Sequence, residues 1–578
     1  MRRTAALTAV LLLLCACNRD EEITADGFAP VITLTGCDDS GTYYVHPGES
    51  LTIAPDYENA RGAEYSWTLG GEVVCREPSW TAIWPETGFY TVTLTVSTDA
   101  GTAREQLYVS VAELQPPVFW LPRPEGGFRV EAGCELLLVP QFRYGRPAAD
   151  AIVWSVDGRR EATGGEFSFV RDTPGSYAVR VEASNADGTA AQEITVEVVE
   201  SMLSVSFPPM LLMQTGSGVH VGAGLPVSLV PLTSGFRAPV FAWTVDGAPA
   251  GAGDALVFVP SASCIVELTA TETEGRNEGR SASASVAVYV SPLSARRPGS
   301  AGSSRRLTAV AEYMPAPGQF VDENGDLACS DHDEACIRAL RTMQAGGYVS
   351  LGAYGGYIVA AFDHSITPSG AAWDIAVGGN SFVAAVGSSN EPGTVWVAPD
   401  ANGNGEPDDE WYVLRGSDMA DSPRTQILDV TYYRPDVPQT DVPWTASDGR
   451  RGTVDYLPEF HDQPCYYPAW APDCYTLRGI SLPARNYPEG GTWTLPAAAW
   501  GYADNAGSDS FELLPPAGHG GLYTGLRIEN AVAADGTPVK LPFVDFVMVR
   551  SATVGKSGWL GEISTEVTDV VDYSMIDN

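Results

Sequence analysis

The chain has 578 residues, 44% hydrophobic and 18% charged, a balance that fits folded protein and argues against disorder throughout. At roughly 150 residues per domain, this length suggests about four domains. With 72 acidic against 34 basic residues the net charge is −38, which repels polyanions and argues against nucleic acid as a partner. It suits a protein that must stay soluble in the open, or one that binds cations.

Residues 1–16 read as a lipoprotein signal peptide outside the fold. Arg2 and Arg3 form a positive start, and Ala5 to Leu14 form an apolar run too short to span a bilayer permanently. The run ends in Leu14-Cys15-Ala16-Cys17, which matches the bacterial lipobox, so Cys17 is expected to carry the lipid. Residues 17–27 form an acidic tether. Its Asn18-Arg19-Asp20-Glu21-Glu22 is similar to the signal that sends Bacteroidetes lipoproteins to the outer face of the outer membrane. The expected location is therefore the outer membrane, lipid-anchored and exposed at the cell surface.

An internal repeat follows. Trp67 and Trp154 stand 87 residues apart, as do Gly88 and Gly175. Gly88-Phe-Tyr90-Thr-Val92-Thr-Leu94-Thr-Val96 matches Gly175-Ser-Tyr177-Ala-Val179-Arg-Val181-Glu-Ala183, and strict alternation marks a strand with one buried face. A third copy keeps Trp243 and Val266-Glu-Leu268-Thr-Ala270, but Ala262-Ser-Cys264 replaces the Gly-x-Tyr start. The modules are placed at 28–112, 113–199 and 200–291. Repeated alternation around a single central Trp predicts small two-sheet sandwiches. The pattern resembles the PKD family of immunoglobulin-like modules, which implies spacers and adhesive stalks. The family's Asp-x-Gly-Asp-Gly turn is absent, with Asp157-Gly158 and Asp246-Gly247 as remnants.

Residues 292–306 are small, polar and basic, and read as a flexible linker whose arginines are solvated. The C-terminal domain, 307–578, opens with one helix: Ser330 as cap, Asp333 and Glu334 in the first turn, and Cys336, Leu340 and Met343 on one face. The rest reads as strands and long loops without βα alternation. The fold class is all-β: tandem immunoglobulin-like sandwiches, then a larger jelly-roll-like β domain with one short helix. The motifs Gly355-Gly-Tyr357, Phe362-Asp-His364-Ser-Ile366, Gly379-Asn380-Ser-Phe382, Glu391-Pro-Gly393, Asp400 to Tyr412, Trp500-Gly-Tyr-Ala-Asp-Asn505 and Gly561-Glu-Ile-Ser-Thr-Glu566 carry a second resemblance. Together they resemble a domain that follows PKD-like modules in Bacteroidetes cell-surface lipoproteins. That resemblance implies an accessory of nutrient uptake, in some members of cobamide capture.

Two loops carry possible chemistry. Asp400, Asn402 and Asn404 at positions 1, 3 and 5, with Gly405 at 6, reproduce the first half of a calcium loop. Glu406, Asp408 and Asp409 are expected to complete the shell, although Trp411 stands where the closing Glu belongs. Asp322 to Asp326 is a shorter echo. Cys465 to Cys474, if joined, would stiffen a loop that presents Tyr466, Tyr467 and Trp470, with Tyr475 beside it, as rings for stacking on a ligand. The other expected disulfides are Cys329–Cys336 and Cys37–Cys75; Cys134 and Cys264 read as buried thiols. Asp363-His364 is the one catalytic-looking pair, but neighbours on a strand point to opposite faces, so a structural role is expected.

The reading is a non-enzymatic surface lipoprotein. A PKD-like stalk presents a C-terminal domain for nutrient capture, with a small molecule or glycan as ligand, calcium as cofactor and a TonB-dependent transporter or other uptake component as partner. The alternatives are a glycan hydrolase with carboxylates in the C-terminal domain, and a structural adhesin.

Overall fold

The indole N–H of each repeat tryptophan donates to a carbonyl ten residues on: Trp67 to Glu77 (2.8 Å), Trp154 to Gly164 (2.9 Å) and Trp243 to Gly253 (2.8 Å). All three rings are essentially fully buried. This shared bond marks one architecture used three times in the computed structural model, which describes residues 29–37, 41–99, 101–124, 127–213, 218–321, 331–435, 439–457, 461, 463, 466–489, 491–515, 518 and 521–576. The chain forms two compact units, Met1–Glu200 and Ser201–Asn578.

In the first module a five-stranded sheet runs Thr42–Val45, Gly101–Val111, Gly88–Thr98, Glu64–Leu69, Glu72–Cys75. Its first pair is parallel and the others antiparallel. The second module repeats the order with Arg129–Glu131, Gly188–Val199, Gly175–Asn185, Ile152–Val156 and Arg159–Thr163. The third does so with Val219–Gly222, Ser281–Ser291, Cys264–Glu272, Pro239–Val245 and Ala248–Gly251. Alternation directs Val92, Leu94 and Val96, then Val179, Val181 and Ala183, then Val266, Leu268 and Ala270 into the three cores. The Gly-x-Tyr start has its own task. Tyr90 and Tyr177 each donate to a carbonyl four residues upstream, and the third module lacks this tie. The remnants Asp157-Gly158 and Asp246-Gly247 form hairpin turns with positive φ at both residues. Their Asp side chains accept from Ala178 N and Ile265 N on the adjacent strands Gly175–Asn185 and Cys264–Glu272, so these carboxylates tie the turn to the sheet.

In the second unit a six-stranded antiparallel sheet runs Ala309–Met314, Tyr357–Ile366, Val544–Ser551, Gly393–Ala398, Tyr412–Leu414, Ala531–Val532. Every residue of Val544–Ser551 is buried, because both faces are covered. Ile358, Ala360, Val395, Val397, Val547 and Val549 enter one core. Tyr357, Val359, Trp396, Ala398, Phe546 and Met548 enter the other. The second core is closed by a four-stranded sheet of Arg451–Val454, Val442–Ala446, Ile427–Tyr433 and Cys474–Ile480. The first is closed by Ser510–Glu512, Leu522–Leu526, Ile375–Gly378 and Asp569–Asp572, by the helix His332–Gln344, and by the third module, whose Trp243, Val266 and Leu268 belong to the same cluster.

The third module is thus joined to the C-terminal domain rather than strung before it. Leu212 N donates to Tyr357 Oη (2.5 Å), Met213 N to Glu312 Oε1 (2.9 Å), and Arg550 Nη2 to Met210 O (2.6 Å). Ser228 N donates to Glu410 Oε1 (2.8 Å), and Tyr412 Oη to Pro226 O (2.8 Å). The stretch 292–306, expected as a flexible linker, lies against the same domain. Arg297 Nη2 meets Asp545 at 3.0 Å, Arg306 Nη2 meets Asp569 at 2.9 Å, and Asp572 N donates to Arg305 O. Two arginines expected as solvated are therefore counter-ions for carboxylates with no exposed side-chain surface. The helix is capped by Asp331, whose side chain accepts from Glu334 N; Ser330 lies outside the described residues. Ala335, Cys336, Ala339 and Met343 form its buried face.

Trp154→Ala is expected to destabilise the first unit by about 3–5 kcal/mol through the cavity it leaves. Trp154→Phe should cost less, since it chiefly leaves the Gly164 carbonyl unpaired. Chemical denaturation of the two variants checks the order.

Candidate functional site

Tyr466, Tyr467 and Tyr475 are at most 3% exposed and lie in the second core. Their hydroxyls donate to carbonyls of His461, Pro472 and Pro315. Trp470 packs at 5.9 Å from Tyr313, with Arg434 4.4 Å over the neighbouring Tyr467 ring. The loop expected to offer rings to a ligand therefore caps its own domain. Sequence could not show this, because a core lid and a stacking platform need the same residues. Cys474 begins a strand, and its expected partner Cys465 lies outside the described residues, as do Cys329, Cys17, residues 1–28 and Asp322 to Asp326. Cys336 sits on the helix with its sulfur 3.6 Å from His332 Nε2. No disulfide joins Cys37 to Cys75: Cys75 Sγ faces Ser79 O, and Cys37 lies by the Tyr43 hydroxyl. Cys134 and Cys264 are half-buried against the second and third module cores.

In the calcium-like loop Asp400 accepts from Gly403 N (2.8 Å) and Gly405 N (3.0 Å), which folds the turn around its carboxylate. Asn402 and Asn404 each accept from the backbone N–H two residues on, and their amide nitrogens donate to the two oxygens of Asp408. Asp409 accepts from Ala401 N through Oδ2, while its buried Oδ1 has no partner; burial pushes this carboxyl up to about 7. Glu406 is exposed. The next residue, Glu410, holds Ser228 of the third module, and desolvation there pushes it up to about 8.

Asp363 and His364 do hydrogen-bond to each other, contrary to the strand argument (Nδ1 to Oδ1, 2.8 Å). The sheet register shifts between Ala361 and Ile366 and breaks the alternation. The far side of the ring, Nε2, meets Asp572 at 2.8 Å. Burial lowers the pKa of this imidazole, but the two carboxylates outweigh that and raise it. Both ring nitrogens are committed, so the group is a clasp.

The resemblance motifs converge elsewhere. Glu391, Asp504 and Glu566 bring carboxylate oxygens within 4.8 Å of one another, a donor set able to hold one divalent cation. Asp504 is the hub. Its Oδ1 accepts from Asn380 N (2.9 Å) and Ser381 N (2.8 Å), and its Oδ2 from Glu566 N (3.0 Å). Its backbone sits at φ 51°, a strained value for a residue with a side chain, and these bonds hold it there. A Cβ on Gly379 would lie 2.5 Å from Asp504 Oδ1, which explains the glycine. Glu391 accepts from Ser564 N (3.1 Å), and Ser564 Oγ donates to Glu566. Desolvation, then repulsion by neighbouring acids, holds Glu391 and Glu566 well above the ordinary carboxylate range, and burial pushes Asp504 up to about 7. Three such groups cannot all carry charge alone; they share protons or take a cation.

Beside this cluster along the 562–566 segment, Glu562 lines a cavity of about 150 Å³. Its walls include Tyr354, Tyr432 and Trp444, from a turn and two strands of the outer sheet. Glu562 is 5% exposed: Oε1 accepts from Gln319 N (2.8 Å), and Oε2 has no partner. Thr553 Oγ1, also on the lining, is buried and unpartnered. Lys556 and Asp455 pair at 2.5 Å where the side chains are more exposed. Apart from Glu562, which falls within the Gly561 to Glu566 motif, none of these residues was singled out from sequence, because they come from several distant segments.

These carboxyls are held above their ordinary values of about 4, so the folded chain binds extra protons between there and about pH 7. Unfolding free energy must fall as pH rises through that window. The melting midpoint of the full chain is expected to drop from about pH 5 to about pH 8, and Glu566→Gln should flatten the dependence. Calorimetry across pH checks this. A divalent cation that restores the midpoint at the upper pH, but not in Glu566→Gln, would mark the cluster as its site.

Residues 29–98 match the model of the PKD-like domain family. A stretch of 143 residues is 29% identical to human (Homo sapiens) polycystin-1, covering 24% of this chain and 3% of that protein, so the chain spans only a small fraction of this relative. Among solved structures, the titin I-band fragment I67–I69 is 14% identical, with 45% of this chain and 98% of that one covered and a TM-score of 0.13. The N-terminal four Ig domains of Dscam1 isoform 6.44 are 13% identical, with 45% and 78% covered and a TM-score of 0.18. The chain is an all-β protein with tandem immunoglobulin-like modules, the first of them PKD-like over residues 29–98.

Proposed function

We propose that this chain is a non-enzymatic surface lipoprotein whose PKD-like modules hold a ligand-capturing C-terminal domain away from the membrane. The observation that carries the reading is the cavity beside Glu562: a partly open, aromatic-walled space two of whose lining residues, Glu562 and Thr553, carry a buried polar atom without a partner. The hydrolase alternative needs a free pair of carboxylates at a cleft; Asp504 and Glu566 are buried, and of the two on the cavity lining, Glu562 and Asp455, the second is paired with Lys556. Tandem immunoglobulin-like modules fit a stalk. The lipobox and acidic run motivate a lipid on Cys17 and an outward-facing position in the outer membrane of a Bacteroidetes cell. There a TonB-dependent transporter or other uptake component would take over the ligand, a small nutrient molecule; a cavity of about 150 Å³ holds about one six-membered ring, less than a whole cobamide or a glycan chain.

Calcium belongs to this proposal at the Asp400 loop, where the unpartnered Oδ1 of Asp409 is the supporting feature. A cation there would stiffen the loop that seats the third module through Glu410.

Three experiments test the proposal. Protease added to intact cells should degrade the protein, and Cys17→Ala should release it from the membrane fraction; complete protection would place it in the periplasm. Screening small molecules by thermal shift on the full chain should give a hit that Trp444→Ala removes. Chelation should lower the melting midpoint by several degrees, and Asp400→Ala should abolish the response; identical melting with and without chelator removes calcium.

A further inference from the structure

We infer that the cavity beside Glu562 takes a compact organic ammonium, with Glu562 as its counter-ion and Tyr354, Tyr432 and Trp444 as its aromatic walls. This rests on the capture reading and names its ligand class.

Size comes first. A cavity near 150 Å³ accommodates about one six-membered ring. Charge comes next. Glu562 is buried with one oxygen bonded to a backbone N–H and the other unmet. The basic group on the lining, Lys556, is already committed to Asp455 and donates to Thr453 Oγ1 (3.1 Å). Among the described residues, the one other ionised group felt by Glu562 is the carboxylate Asp455, which adds to the negative charge around it. The field in the space is therefore negative. An anion is repelled, and a neutral ring leaves the carboxylate without a counter-charge. An ammonium supplies that charge, donates to Glu562 Oε2, and gains from the surrounding rings by cation–π attraction. A hydroxyl on the ligand would meet Thr553 Oγ1. Burial that holds the Glu562 carboxyl at about 7 fits a group whose charge is completed by its ligand.

Titration calorimetry on the full chain at about pH 8 tests this with three six-membered rings of different charge: cyclohexylammonium, cyclohexanol and cyclohexanecarboxylate. Cyclohexylammonium is expected to bind about tenfold or more tighter than cyclohexanol, with no binding of the carboxylate. Glu562→Gln keeps the shape and an acceptor for Gln319 N while removing a buried charge, so it should fold and should bring the ammonium down to the level of the alcohol. Trp444→Ala should weaken every probe that binds. Ammonium binding that survives Glu562→Gln unchanged overturns the inference. So does alcohol or carboxylate binding as tight as the ammonium's; if Trp444→Ala weakens it, the capture reading stands without the ammonium. If the wild-type chain binds no probe, the inference falls, and the cavity ceases to support capture.

Discussion

A β-sheet whose residues are apolar on both faces has to be covered twice, and the second unit is arranged around that requirement. Val544–Ser551 is buried along its whole length, with Phe546 and Met548 on one side and Val547 and Val549 on the other. One face is met by a second sheet from the same domain. The other draws on the helix, a further sheet and the third module, whose own core is continuous with it. The module that sequence reads as the last bead of a stalk is therefore part of the cover.

Buried polar groups tie that attachment down. Arg550 has no exposed surface, lies 4.4 Å over the Tyr357 ring, and finds an acceptor in Met210 O. Arg478 is paired with Asp429 inside the domain and reaches Val230 O on the module. Removing the module would take an acceptor from Arg550 and from Arg478 and a donor from Glu410, and would open the core beneath them to water. The 292–306 stretch follows from the same logic. Its arginines read as solvated because their neighbours in sequence are small and polar, yet Asp545 and Asp569, more than two hundred residues away, need counter-ions.

What sequence could reveal depended on whether the signal was local. The repeat was legible because a period of two and one central Trp survive in each copy, including the third, where the Gly-x-Tyr tie is lost but Val266, Leu268 and Ala270 still alternate. The helix was legible except for its cap, which shifts by one residue to Asp331. The aromatic loop misled because composition says that Tyr466, Tyr467 and Tyr475 bury well and not which side they bury against. The motifs at Gly379, Glu391, Asp504 and Glu566 were visible as separate strings. Their meeting was not, because nothing in the spacing of 391, 504 and 566 encodes a shared point.

That meeting bears on what the domain can do. A cluster of acids with no base among the groups acting most strongly on Glu391 and Glu566 is an expensive thing to fold, and the backbone is shaped to hold it: strained φ at Asp504, no side chain at Gly379, three N–H donors on one carboxylate. The same segment that supplies Glu566 and Ser564 to the cluster supplies Glu562 to the cavity four residues earlier. Whatever neutralises one alters the field in the other. A proton or cation in the cluster makes it easier for Glu562 to ionise, and an ionised Glu562 draws a proton or cation more strongly into the cluster. Protonation of the cluster and of Glu562 is thus linked through charge across one short stretch of chain.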